Sequence, residues 1–257
     1  MARRRTTTTL PSPFLQRLEF RGDELATKTG YPFNLPWLLN DDLEIAFTTP
    51  VTIIVGENGT GKSTLIEAIA ALSGYDEAGG GKGYLPVDHS RAIERGGGDL
   101  AQVMRAGWLP KVTNGWFFKA ETFFSVARYL DEVQSPAADF LSWSHGEGFV
   151  RLFEERMLRQ GIYLMDEPES ALSPKRQLGL LRLLSRIQEE RVSQVIMATH
   201  SPILMALPGA RVFEVTRNGI SDVNYRDTSH FKLYQSFTVD PEDFIAEALR
   251  DHDESQF

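Results

Sequence analysis

VTIIVGENGTGKS, residues 51 to 63, is the stretch on which the reading of this chain turns. Val51 to Val55 is short, wholly apolar apart from Thr52, and rich in β-branched residues, the composition of a strand buried on both faces of a parallel sheet. Gly56 to Ser63 then fits the pattern G-x-x-x-x-G-K-[ST]. Glycines in that pattern let the backbone turn so that its N–H groups point inward at phosphate oxygens. From Lys62 to Leu72 the apolar spacing is helical, and Gly74 stands where such a helix would stop. The helix adds its positive end to the turn. A nucleoside triphosphate is therefore expected on Gly56, Glu57, Asn58, Gly59, Thr60, Gly61, Lys62, Ser63 and Thr64. Lys62 would supply charge to the β- and γ-phosphates, and the Ser63 hydroxyl would ligate Mg²⁺.

Two further buried strands lie downstream. Ile162 to Met165 is apolar and ends in Asp166 and Glu167. Asp166 is placed to hold the Mg²⁺ shell, as acids ending such strands do in P-loop enzymes. Glu167, one residue on, suits the task of orienting or deprotonating the attacking water. Gln194 to Ala198 is the third strand, and Thr199-His200-Ser201-Pro202 follows it. An imidazole there can reach a γ-phosphate and report its presence. The expected catalytic residues are Lys62, Glu167 and His200. Strands alternating with helices from Val51 to Ala198 imply an α/β fold with a largely parallel sheet. Ligands of such sheets bind at the carboxyl ends of the strands, where all three motifs fall.

The rest of the chain is arranged around this core. Phe14 to Arg21 alternates apolar and polar residues, and with Leu43 to Phe47 it suggests an antiparallel β lobe. Residues 22–40 read as a loop with aromatic anchors at Tyr31, Phe33 and Trp37. Each of the three could stack on a base, although packing is the commoner role for an aromatic. The glycines between 74 and 99 predict a flexible insertion. Trp116 to Phe118 suggests a strand, and Glu121 to Val133 and Gly146 to Gln160 suggest helices. A long helix is expected over Pro174 to Glu190, capped by Ser173 with Pro174 at its first position. Asn218-Gly219 marks a hairpin between Arg211–Val215 and Ile220–Tyr225. The domain plan is a disordered tail over 1–13 and one ATPase-like domain over 14–240. A helical subdomain spans about 100–160 within it, and residues 241–257 form a C-terminal helix with an acidic tail.

Composition narrows the partners. The net charge is -8 over 257 residues, so any contact with nucleic acid must use a local patch or a partner protein. The only dense basic cluster is Arg3-Arg4-Arg5, in the expected tail. Cysteine is absent, which excludes disulfides and cysteine-ligated zinc or Fe–S sites and agrees with a reducing cytoplasm. No apolar stretch follows the first basic residues and none is long enough to span a bilayer, so neither a secretory signal nor direct membrane insertion is expected.

These motifs together resemble those of the ABC-type ATPases. Residues 56–63 match the family's Walker A motif, and Tyr163-Leu164-Met165-Asp166-Glu167-Pro168 its Walker B with the catalytic glutamate. Ser170-Ala171-Leu172-Ser173 is similar to the D-loop and His200 to the switch histidine. Ser144-His145-Gly146-Glu147 stands where the signature motif belongs, with Trp143 for the usual leucine and Glu147 for the glutamine. The resemblance implies that Ser144 and Gly146 touch the γ-phosphate held by a second subunit. It also places Glu121 where the Q-loop glutamine would approach the metal. More narrowly, YPFNLP, FFKAETFF, SHGE, DEPESALSP and ATHSPIL resemble small stand-alone bacterial "AAA family" predicted ATPases, similar to the heads of SMC-type and RecF-type proteins. The implied fold is a P-loop NTPase with a mostly parallel sheet, an antiparallel β lobe and a helical signature subdomain. The implied cofactors are ATP and Mg²⁺, and the implied partner is a second copy in an ATP-dependent homodimer.

Three uses of such a switch stay open at this level. One is nucleic-acid maintenance or defence, alone or with a nuclease or effector partner. Another is the cytoplasmic ATP-binding subunit of a membrane transporter, which the altered signature fits less well. The third is a non-hydrolysing nucleotide-binding module, against which Lys62, Asp166, Glu167 and His200 all speak.

Overall fold

The structure is a computed structural model that describes residues 10–39, 43–81, 96–112, 114–120, 153–154 and 156–250. Its strands are β1 (Leu15–Phe20), β2 (Glu44–Ala46), β3 (Val51–Val55), β4 (Met104–Trp108), β5 (Gly115–Lys119), β6 (Ile162–Asp166), β7 (Gln194–Ala198), β8 (Arg211–Thr216) and β9 (Gly219–Val223). They form two sheets. A six-stranded sheet has the order β5-β6-β7-β3-β8-β9, parallel except for β9, and a three-stranded antiparallel sheet has the order β2-β1-β4. All five residues of β3, of β6 and of β7 are buried. The apolar runs predicted this, since a central parallel strand has no solvent-facing side.

Alternate side chains of these strands enter two separate cores. Val51, Ile53 and Val55 face one, with Met165 and Met197. Ile54, Leu164 and Ile196 face the other. The helices are α1 (Gly22–Leu25), α2 (Lys62–Ser73), α3 (Gly97–Gln102), α4 (Pro174–Glu190), α5 (Pro202–Met205), α6 (Ser229–Val239) and α7 (Pro241–Arg250). Leu180, Leu183, Leu184 and Ile187 of α4 cover the first core, spaced as one helical face. On the opposite face Leu65, Ile66 and Ile69 of α2 lie between the large sheet and the β lobe. Helix α2 stops at Gly74, which takes a left-handed φ of 86°.

Several expectations are revised here. Residues 96–99 belong to the predicted flexible insertion, yet Gly97–Gln102 forms α3, which packs on α2. A Cβ on Gly97 would lie 2.3 Å from the Glu67 Cβ, so this glycine serves close helix packing. Residues 104–108, inside the stretch assigned to a helical subdomain, form a strand of the small sheet, whereas Trp116–Phe118 lies in β5 as the sequence suggested. Ser173 does precede α4, but its hydroxyl makes no capping bond. Its carbonyl instead accepts from the amides of Arg176 and Gln177. The β8–β9 turn sits at Arg217-Asn218, one residue before the predicted Asn218-Gly219, because Gly219 already pairs with Thr216. The segments 1–9 and 251–257, the predicted helix 121–133 and the signature residues 143–147 lie outside the described residues.

Candidate functional site

Strands β3, β6 and β7 deliver the three sequence motifs to one edge of the large sheet. The loop after β3 is set by glycines and by an apolar brace. At Gly56 the φ is 148°, and a Cβ there would meet the Val215 carbonyl oxygen at 2.3 Å. Gly61 has a φ of 90°, and a Cβ would meet Leu35 Cδ2 at 2.9 Å. Thr60 Oγ1 donates to the Glu57 carbonyl at 2.8 Å and closes the turn. Lys62 opens α2 and is buried, its Nζ donating to the Glu57 carbonyl at 3.0 Å. Burial pulls the lysine below its ordinary pKa, while Glu167, Asp166 and Glu57 pull the other way. The first-turn amides of α2 have no intrahelical acceptor.

The three candidate aromatics separate. Trp37 is fully buried, and its Nε1 donates to the Thr60 carbonyl at 2.7 Å, so it braces the loop and is closed to a base. Phe33 packs against the second core, with the Lys28 ammonium 5.7 Å above its ring. Tyr31 is half exposed, and its hydroxyl bonds that of Thr64.

Opposite the loop, Asp166 and Glu167 occupy contrasting settings. Asp166 is buried at the end of β6, where its Oδ1 accepts from Ser63 Oγ at 3.1 Å. Burial pushes its carboxyl up to about 7, against the opposing field of the Lys119 ammonium. Lys119 is the register partner of Asp166 on β5 and forms a buried ion pair with Glu67 Oε1 at 2.6 Å. Glu167 takes a left-handed backbone, φ 48° and ψ 52°, held by its amide bonding the Ala198 carbonyl at 3.0 Å. That conformation costs a non-glycine residue about 1–3 kcal/mol and recurs at functional sites. The turn carries its carboxylate to within 3.5 Å of His200 Nε2. His200 holds the Glu167 carboxyl below the ordinary range, with burial opposing. Adjacent acids driven in opposite directions can divide the tasks of metal ligand and base.

His200 is held on three sides. Its backbone amide donates to Glu169 Oε1 at 2.5 Å, and Glu169 Oε2 accepts from Thr199 Oγ1 at 2.7 Å. Its Nδ1 is 2.8 Å from Nε2 of His230, a residue of α6. Burial first, and then His200, lower the pKa of His230. A cavity of about 190 Å³ opens at the carboxyl end of β6, its lining including Ser63, Lys119, Asp166, Glu167, Ser170 and Ala171. A larger groove of about 760 Å³ lies elsewhere, between Thr48, Met205, Arg211 and Tyr225, and holds none of the motif residues.

Lys62, Ser63, Asp166, Glu167 and His200 are thus brought together, as expected. Ser144, Gly146 and Glu121 lie outside the described residues. Trp37 is the loop anchor that the sequence suggested. Sequence reasoning missed Glu169, His230 and the Lys119–Glu67 pair; of these only His230 stood apart from every recognised motif.

Comparison with known proteins adds family matches over two segments. Residues 34–117 match a family described as an AAA domain. Residues 147–206 match one described as "AAA domain, putative AbiEii toxin, Type IV TA system". No curated protein matches the chain significantly. Among solved structures, an inward-facing ABC transporter described as of metal-chelate type aligns at 14% identity and a TM-score of 0.49, over 86% of this chain and 88% of that one. The SMC head domain from Thermotoga maritima aligns at 16% and 0.44, over 82% and 99%. A dimeric bacterial ABC transporter cassette aligns at 16% and 0.41, over 73% and 90%. Among the described residues no helix is long and apolar enough to cross a membrane. With a P-loop between β3 and α2 and paired acids ending β6, the chain has a mixed α/β P-loop fold, and the two AAA-domain matches contain these motifs.

Proposed function

We propose that the chain binds ATP with Mg²⁺ on residues 56–64 and hydrolyses it, with Glu167 as base. One observation carries this reading. The Ser63–Asp166 pair at 3.1 Å and the Glu167–His200 pair at 3.5 Å draw on three different strand ends, and Ser63, Asp166 and Glu167 line one cavity, with the buried P-loop lysine in the field of both acids. The donor set also suits the metal. Ser63 and Asp166 offer two hard oxygens, and among the described residues no group of three or more His, Asp or Glu could cage an ion unaided. Mg²⁺ keeps several waters and takes phosphate oxygens alongside one or two protein ligands, so a two-oxygen site fits it.

In the proposed reaction Lys62 and the first-turn amides of α2 hold the phosphates. A bound Mg²⁺ would neutralise charge on the phosphate oxygens. Glu167, ionised at neutral pH, takes a proton from water as the water oxygen bonds the γ-phosphorus. The bond from that phosphorus to the β–γ bridging oxygen breaks, giving ADP and phosphate. His200 aligns Glu167 and meets the γ-phosphate. We propose further that Ser144 and Gly146 complete the site of a second copy, so that ATP joins two heads and hydrolysis parts them.

Titration with Mg-ATP and phosphate-release assays test this. Lys62→Ala should weaken binding by about 100-fold or more, about 2.7 kcal/mol. Glu167→Gln should keep its affinity, lose about 1000-fold in turnover and elute as a dimer with ATP. Wild-type protein that fails to bind Mg-ATP, or a Lys62→Ala variant that binds it equally well, would sink the proposal. The wider role we propose is nucleic-acid maintenance or defence. The toxin–antitoxin wording attached to the family over 147–206 supports the second half of that role. Hydrolysis should rise with added DNA or RNA; a rate indifferent to both removes the nucleic-acid half.

A further inference from the structure

The paired histidines form a row that the motifs do not account for. His200 Nδ1 meets His230 Nε2 at 2.8 Å, the ring centroids being 4.8 Å apart. The two outer nitrogens, His200 Nε2 and His230 Nδ1, are buried and have no hydrogen-bond partner. Each faces a carboxylate just beyond hydrogen-bond reach: Glu167 Oε1 is 3.5 Å from His200, and Glu57 Oε1 is 3.8 Å from His230. Buried polar atoms are rarely left unpaired, and an orphan of this kind calls for a reason. The row therefore runs Glu57, His230, His200, Glu167, from the phosphate loop to the proposed base.

His230 is itself firmly seated. It is the second residue of α6, whose cap Thr228 accepts from the Phe231 amide at 3.2 Å and donates to the Tyr225 carbonyl at 2.7 Å. The Ser229 amide donates to Glu214 Oε1 at 3.2 Å. Phe231 packs edge-on against Tyr225 with centroids 5.1 Å apart. The His230 side chain is 15% exposed.

We propose that His230 is a positioning residue for His200. By engaging Nδ1 it leaves Nε2 as the one free nitrogen of that imidazole and aims it at Glu167. Its own Nδ1 faces Glu57 at 3.8 Å, so the row reaches from the phosphate loop to the proposed base. Without His230 the ring could turn about its Cβ–Cγ bond and present either nitrogen. This role rests on the ATPase reading above, but its geometry stands apart from activity.

The test uses His230→Ala, His230→Gln, which keeps a polar group able to meet Nδ1, and Lys62→Ala, all in the full chain. His230→Ala should lower kcat by about 10- to 100-fold while KM for ATP stays within about twofold. His230→Gln should recover most of that loss. In nucleotide-free protein, side-chain ¹⁵N shifts of His200 should report one tautomer in wild type and an averaged pair in His230→Ala. Wild-type turnover in His230→Ala, a loss confined to KM, or His200 shifts that do not move would each overturn the proposal. If His230→Ala fails to fold, the ¹⁵N shifts of His200 in the nucleotide-free wild type decide: one tautomer supports the proposal and an averaged pair overturns it. Failure of the ATPase reading looks different: wild type and Lys62→Ala would then be equally inert toward ATP, while the ¹⁵N shifts would still judge the His230–His200 link.

Discussion

The two walls of the site are built by different means. The phosphate loop is shaped by backbone: glycines at 56 and 61 leave room for Val215 and Leu35, and Trp37 props the turn through the Thr60 carbonyl. The facing wall is shaped by side chains. Asp166 leans on Ser63, Glu167 on His200, and His200 on Glu169 and His230. Apart from Lys62 and the Trp37 brace, a wall made of backbone changes little when one side chain is replaced, unless a glycine gains a Cβ. A wall made of hydrogen-bonded side chains loses its aim when one member goes. On that comparison the first wall governs binding and the second governs turnover, so damage to each should appear in different constants.

Gly61→Ala offers the largest break. The new methyl meets Leu35 and the backbone sits at a φ of 90°, so we expect a stability loss of about 2–3 kcal/mol and loss of Mg-ATP binding. Thermal unfolding with and without nucleotide checks both. Full binding by this variant would break the comparison at its strongest point.

Glu169→Gln strikes the other wall. It removes a carboxylate that accepts from the His200 amide and from Thr199 Oγ1. Charged hydrogen bonds contribute about 1.5–3 kcal/mol, so kcat should fall about 10-fold or more with ATP affinity kept within about twofold. Steady-state kinetics beside equilibrium titration separates the two constants. A loss in affinity alone would mean that this wall also binds.

Trp37→Phe sharpens the first wall. The six-membered ring is kept, but the pyrrole ring and its Nε1–H bond to the Thr60 carbonyl are lost at a fully buried position, which should cost about 2 kcal/mol in denaturant unfolding. Nucleotide affinity should weaken more than kcat changes.

The smallest effect concerns pH. Folding lowers the pKa of His230 from its ordinary 6.5, chiefly by burial. Below 6.5 the unfolded chain then takes up protons that the folded one resists. This contribution to stability is present above pH 6.5 and is lost on acidification. Melting temperature should fall between about pH 7 and about pH 5 more steeply in wild type than in His230→Gln. Parallel curves would remove His230 from the balance.

Local signals carried most of what was legible. A strand buried on both faces must be apolar along its length, so Val51–Val55, Ile162–Met165 and Gln194–Ala198 announced the sheet. The P-loop and the Asp166-Glu167 pair are runs of neighbours, visible without a fold. Residues 96–99 went unrecognised because glycine signals freedom and close packing alike, and only the proximity of Gly97 to Glu67 decides between them. His230 and Lys119 escaped because each acts on a residue far away in the chain, 30 positions distant for His230 and His200 and 52 for Lys119 and Glu67. Glu169 is a common residue type whose partners, Thr199 and His200, are equally remote.

The amino-acid order by itself determined where the strands run, where the phosphate loop turns and which acids end β6, since periodicity and glycine placement act over a few neighbouring residues. Only the tertiary structure decided which of those acids is buried against Ser63 and which meets His200, that Trp37 is a brace, and that His230 stands behind the switch histidine. Those choices depend on distances across the sheet and on burial, which no run of neighbouring residues contains.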